Sequence, residues 1–194
     1  MRFVLTYSGA LAPNGSPQEK HRIRKALLPL LKRQWDIDPG LNNIAHSGSR
    51  DKPGHGTRLD DIARRFTKAG FRFVPLVSKE FSLVCYLQIT LLRNEEPGNV
   101  LQTGGDIDNR LKTLFDSLSV PVHENQIQNL APAAGEDPFY CLLEDDSLVS
   151  GVEINTERLL EPLANPQDVR LTITAIVRPT KVTIESVGFL GGWL

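Results

Sequence analysis

The sequence predicts an α+β fold, a small mixed β-sheet with helices packed against it. Two observations on strands and one on helices predict it. Phe81, Leu83, Cys85, Leu87, Ile89 and Leu91 alternate with Ser82, Val84, Tyr86, Gln88 and Thr90, the period of a strand with one buried face. Val169, Leu171, Ile173, Ala175 and Val177 repeat that pattern. Between the strands, apolar residues recur at helical spacing in two places, Ile23 to Leu31 and Leu111 to Leu118. The 194 residues fit one domain, spanning 1–194, with enough chain to bury a core unaided.

Arg2 to Tyr7 reads as an opening strand, and Ala10 to Pro17 as a turn-rich loop. A helix starts at Ser16. Pro17 suits its first turn, and Glu19 three residues on completes a capping box. Lys20, Arg22, Arg24, Lys25, Lys32 and Arg33 fall largely on the surface left by the apolar stripe. Asp38-Pro39-Gly40 stops this helix, and residues 40–56 are polar and glycine-rich, hence loop. Thr57 to Lys68 suits a second basic helix, with Gly70 at the position after its C-terminus. The run 71–77 is strand-like, and Pro75 puts it at a sheet edge. Residues 94–105 form a loop, Asn109 to Leu118 a helix, and 119–140 a long loop punctuated by Pro121, Pro132, Gly135 and Pro138. Cys141 to Leu143, Leu148 to Asn155 and Val169 to Val177 are the closing strands, before an apolar tail at 180–194.

Composition narrows the function. No apolar run is long enough to span a bilayer, so no membrane role is expected. Two cysteines and the lack of a signal-peptide layout point to the cytoplasm and exclude a disulfide scaffold or a cysteine-rich zinc site. No Walker loop, dinucleotide glycine fingerprint or nucleophile elbow is present. The four histidines show no metal-ligand spacing. Cys85 reads as core, and Trp35 and Trp193 read as packing residues. The net charge of −1 hides an asymmetry: residues 1–80 hold fifteen Lys/Arg against seven Asp/Glu, and 81–194 hold seven against sixteen. Either the halves pack together and neutralise each other, or a basic surface holds a polyanion while an acidic centre holds metal.

Two acidic clusters sharpen the second alternative. Asp106 and Asp108 are two apart just before a helix, so in an extended segment both face one side. Lys112 lies one turn after Asp108 on the same face. Glu144-Asp145-Asp146 follows a short apolar strand. Two carboxylates about 4 Å apart repel by about 4 kcal/mol at an effective dielectric near 20, so converging acids take up protons or bind a cation. Oxygen ligands suit Mg2+ or Mn2+. Such a metal beside a lysine suits phosphodiester hydrolysis. The plain alternative is a helix cap at Asp108, ordinary i,i+4 pairs along Lys112 and Asp116, and a solvated turn at 144–146.

The run Asp106-Ile107-Asp108-Asn109, with Lys112, Phe115-Asp116 and Leu118, followed by Asp145-Asp146, resembles the RusA family of Holliday junction resolvases. That family carries D-[LI]-D-N-x-x-K-x-x-x-D-x-L and then a D-D pair. The resemblance covers about residues 82–178, which would be the catalytic core of a RusA-like endonuclease domain, with 1–80 as a basic N-terminal region. It implies a Mg2+-dependent enzyme, typically a phage- or prophage-encoded homodimer, that cuts four-way DNA junctions in recombination and repair. It implies Asp106, Asp108 and Asp146 as catalytic metal ligands, Asp145 as a supporting acid, and Lys112 as the active-site lysine. The chain is longer than family members often are, and residues 119–140 separate the helix from the acid pair where the family has only a few. Lys20, Arg22, Arg24, Lys25, Arg64, Arg65 and Arg110 are the expected DNA-facing cations. Two other readings stand beside this one: a metal-dependent nuclease for other branched DNA, and a non-catalytic DNA-binding protein of the same fold.

Overall fold

A computed structural model describes residues 1–94, 107–127, 129–165 and 168–182. The architecture is α+β. In chain order its elements are β1 (Arg2–Ala10), α1 (Pro17–Ile37), α2 (Pro39–His46), α3 (Arg58–Arg65), β2 (Thr67–Lys68), β3 (Phe71–Val77), β4 (Leu83–Arg93), α4 (Ile107–Leu118), β5 (Phe139–Leu143), β6 (Val149–Arg158) and β7 (Asp168–Pro179). Among the described residues no helix is long and apolar enough to cross a membrane.

The strands form two sheets where the sequence suggested one. The larger has the order β1-β7-β4-β6, with β6 parallel to β4 and the other pairs antiparallel. The smaller has the order β2-β3-β5, with β3 and β5 parallel. Alternation reveals a strand but says nothing about which strand it pairs with, so the split was invisible locally. β4 shows the expected alternation, every second side chain from Leu83 to Arg93 being buried. β7 repeats it, with Val169 to Val177 on the covered face. One core unites these faces with Ile23, Leu27, Leu31 and Trp35 of α1 and with Leu111, Leu114 and Leu118 of α4. A second cluster surrounds Phe71, Phe73 and Phe139, whose ring centroids lie 5.4–5.8 Å apart, and the buried His21 ring packs against it.

Local signals explain the helix starts. Ser16 accepts from the Glu19 amide, and the Glu19 carboxylate accepts from the Ser16 amide at 2.7 Å, closing the predicted capping box. Asp38 both ends α1 and caps α2, accepting from the Gly40 and Leu41 amides at 3.0 and 3.1 Å. Residues 39–46 are therefore helix rather than loop. Pro39 suits a first turn, and Leu41 and Ala45 are buried against α1. Thr57 caps α3 with its own box through Asp60, but α3 stops at Arg65. Gly70 does not end a helix. With Ala69 it makes a two-residue hairpin turn between β2 and β3, both at positive φ (46° and 83°). Pro75 sits on the middle strand of its sheet, yet β2 pairs only with Phe71 and Arg72. At Pro75 the chain has a ladder neighbour on one side alone, β5, so this position is an edge in effect and tolerates proline. The segment 119–140 holds a 3-10 turn at Glu124–Ile127, and its last two residues belong to β5.

The loop between α2 and α3 hangs on one buried carboxylate. Asp61 accepts from the Ser49 hydroxyl at 2.7 Å and the Arg50 amide at 2.8 Å, and it pairs with Arg64. Burial pushes its pKa up, but the Ser49 hydroxyl, the Arg50 and Asp51 amides and the Arg64 charge together outweigh this and hold it at about 2. A pKa below the unfolded value of 3.8 adds stability that is complete above that value and lost as pH falls toward 2. Denaturation midpoints followed from pH 5 to pH 2 should fall more steeply for the wild type than for Asp61→Asn. Parallel profiles would show that this carboxylate does not hold the loop.

Candidate functional site

The first acidic cluster divides at the edge of the described residues. Asp106 lies outside them. Asp108 stands exposed in the first turn of α4. Lys112, also exposed, and Asp116 follow at four-residue intervals, so the three form one charged stripe along the helix. The opposite face is locked into the protein. Leu111, Leu114 and Leu118 enter the core, the Thr113 hydroxyl accepts from the Gly15 amide at 2.8 Å, and the buried Arg110 donates to the Leu11 carbonyl.

Two cations of α1 fix the far end of α4. Lys20 pairs with the Asp116 carboxylate at 2.7 Å. The Arg24 guanidinium, only 2 % exposed, donates to the carbonyls of Asp116 and of Ser119, the latter at 3.3 Å. Terminal helix carbonyls lack intrahelical donors and carry the negative end of the macrodipole, so a cation suits this place. Burial depresses the Arg24 pKa to about 10, with nearby Cys141 and Asp116 opposing the shift. At that value it stays charged at neutral pH.

The same helix end meets the end of β5. The Val120 amide donates to the Leu143 carbonyl at 2.9 Å, and Ser119 bridges Leu143 in parallel register. The second acidic cluster begins one residue later, so it meets the C-terminal end of α4. Asp116, Ser119, Val120, Gln126, Asp145 and Asp146 are among the lining of a small pocket of about 40 Å3. Asp145 accepts from the Ser147 amide at 3.0 Å and caps the short 3-10 turn that starts at Asp146. The Ser147 hydroxyl and amide hold the Asp145 carboxyl below the usual range, and the Lys79 charge adds to this. Asp146 is exposed at the pocket. Glu144 turns the other way, accepting from the Lys79 amide at 2.9 Å.

The pocket therefore takes Asp116, not Asp108, from the helix. Eight residues at about 1.5 Å rise put Asp108 roughly 12 Å further along the axis. Among the described residues no three carboxylate, imidazole or thiol groups stand close enough to hold one ion. The donors nevertheless suit Mg2+, which binds through one or two carboxylates and keeps several waters. From the sequence Asp116 is a residue of the family-like motif but carries no metal-binding assignment. Its signal was the four-residue step from Lys112, which reads equally well as a surface ion pair.

The expected DNA-facing cations are largely spent inside the protein. Arg24 and Arg110 are buried and bind backbone carbonyls, so the surface placement read from the helical pattern is corrected for both. Lys20 pairs with Asp116, and Lys25 with Glu136 at 2.6 Å. Arg64 pairs with Asp61, and Arg65 with Glu80 and Asp51. Arg22 is exposed. The basic and acidic halves partly neutralise each other, because α1 packs against α4 and against the segment that leads into β5. His21 and both cysteines are buried. Burial pushes the Cys85 and Cys141 thiols up to about 12, which suits core residues rather than nucleophiles.

No protein-family model matches the chain, and no curated protein sequence matches it either.

The two arginines of α1 separate a brace from a surface charge. Arg24→Ala leaves two helix-end carbonyls without their donor and should cost about 1–3 kcal/mol, whereas Arg22→Ala should change stability by less than about 0.5 kcal/mol. Urea melts of the two variants check this. Equal midpoints would contradict the burial of Arg24.

Proposed function

We propose that the chain is a metal-dependent endonuclease of the RusA type, acting on branched DNA and above all on four-way junctions. The observation that carries this reading is the meeting of the end of α4 with the end of β5: Asp116 lines one pocket with Asp145 and Asp146, and Lys112 and Asp108 follow it back along the helix. Asp146 belongs both to the resemblance and to this pocket. In the proposal Asp146 and one neighbouring acid of the pocket, Asp145 or Asp116, hold Mg2+ or Mn2+ with water completing its shell; Asp106, which the resemblance adds, lies outside the described residues. When bound, the metal supplies charge neutralisation on the phosphate and an activated water.

The chain's own groups do the remaining work. Asp145 is held ionised by Ser147, which keeps a negative charge at the pocket across the neutral range. Lys112 stands exposed between Asp108 and Asp116, within reach of a phosphate brought to that stripe. Lys20 and Arg24 hold Asp116 in place, so the carboxylate does not have to be ordered when the substrate arrives. A symmetric junction needs two equivalent nicks, and a two-fold homodimer provides them.

A labelled synthetic four-way junction incubated with the protein and Mg2+ should be cut into paired nicked duplexes, with linear duplex of the same sequence left intact. Asp146→Asn should lower the cleavage rate by at least about 100-fold while junction binding persists. Cleavage unchanged in that variant, or no cleavage of any branched DNA by the wild type, overturns the proposal. Binding without cleavage by the wild type would favour the non-catalytic DNA-binding protein.

A further inference from the structure

We propose that a second cavity, beside the acidic pocket, is a subsite for a backbone phosphate of the DNA strand, with Lys79 as its cation. The proposal rests on the nuclease reading and names how that site would take hold of its substrate.

The cavity lies outside the carboxyl ends of the parallel strands β3 and β5. Val77 is in register with Leu143, the Glu144 amide donates to the Val77 carbonyl at 2.9 Å, and both chains leave the sheet on the same side. The carboxyl ends of parallel strands are where open sheets collect ligands. The cavity measures about 170 Å3, more than four times the acidic pocket. Lys68, Lys79, Glu144 and Asp145 line it, with the wall Val120 to Val122. That wall and Asp145 line the acidic pocket as well, so the two spaces are neighbours across one short stretch of chain.

The wall is pinned from several sides. The Lys68 ammonium donates to the carbonyls of Pro121 and Val122, both at 2.6 Å. The Gln126 side-chain carbonyl accepts from the amides of Val122 and His123 at 2.6 and 3.2 Å. Spacing between the two cavities is therefore built into the protein.

Charge distinguishes these lysines from those of the helices. Among the described residues neither Lys68 nor Lys79 is in an ion pair, unlike Lys20, Lys25, Arg64 and Arg65. Of the two carboxylates in the cavity, Glu144 accepts from the Lys79 amide and Asp145 from Ser147, so each already has a backbone donor. Lys68 is committed to the wall. Lys79 is exposed, with its ammonium near enough to Asp145 to lower that group's pKa. A strand whose scissile phosphate lies at the acidic pocket would carry a neighbouring phosphate past Lys79. A single cationic contact beside a negatively charged centre would fix the direction in which the strand enters.

The test measures binding of a labelled four-way DNA junction over a range of salt, in EDTA so that cutting does not intervene. One phosphate contact contributes about 0.7 to 0.9 to the slope of log affinity against log salt. Lys79→Gln should lower the slope by about that amount, and Lys79→Arg should restore it. Cleavage by Lys79→Gln in Mg2+ should show a raised KM with kcat little changed, as expected for a contact made equally before and during the reaction. A slope and KM equal to the wild type's in Lys79→Gln overturn the subsite. A wild type that binds the junction but never cuts it overturns the nuclease reading alone, because the slope still reports the phosphate contact. A wild type that does not bind the junction overturns both.

Discussion

The docking of one helix end on one strand end governs the rest of the molecule. The C-terminus of α4 needs donors for its carbonyls, and α1 supplies them through the buried Arg24 guanidinium. Lys20 holds the Asp116 side chain alongside. With the helix end fixed, the Val120 amide reaches the Leu143 carbonyl, and the acid pair that follows β5 comes to the same place. A buried charge stays ionised only where its partners compensate for lost hydration, and here the partners are the carbonyls that need it. The basic helix serves as a brace for the acidic centre. Lys20 and Arg24 carry that role, while Arg22, Lys25, Lys32 and Arg33 of the same helix stay exposed.

The segment after α4 has a structural use in this arrangement. Instead of crossing directly from helix to acid pair, the chain turns along Val120 to Ile127 and returns as β5. The turn is tied down by Lys68 and Gln126 and forms the partition between two cavities, one acidic and one bearing lysines. In the proposed reading this partition spaces a metal-bound phosphate from its neighbour. β3 and β5 end together, and each passes within a few residues into a strand of the larger sheet, β4 and β6.

Much of the secondary structure was legible from short windows. The capping box at Ser16 and Glu19, the alternation of β4 and β7 and the apolar face of α4 each depend on residues within a few positions of each other. Helix α2 was missed because its polar, glycine-bearing sequence hides a capped turn in which Leu41 and Ala45 enter the core and Ile44 packs against it. Arg24 and Arg110 were misplaced because a helical pattern ranks residues by polarity, and a buried guanidinium looks like a surface one until its carbonyl partners are known. Of the acidic site, Asp145 and Asp146 were readable as a pair and do line the pocket, whereas Asp116 was readable as a motif residue and only the structure places it beside them.

By itself the sequence determined the class of fold, most element boundaries, the burial of Cys85 and the two acidic clusters, since each follows from local periodicity, capping or charge spacing. Only the tertiary structure decided which cations are spent on carbonyls and carboxylates, which strands share a sheet, that Asp116 rather than Asp108 joins Asp145 and Asp146, and that Lys79 stands beside them. The defining contacts join distant residues: Lys20 and Asp116 are 96 positions apart, and the paired Arg2 and Ile176 are 174. No repeat along the chain encodes them. They arise when helix ends seek donors and apolar faces seek cover, and those demands are met by whichever distant segments pack together.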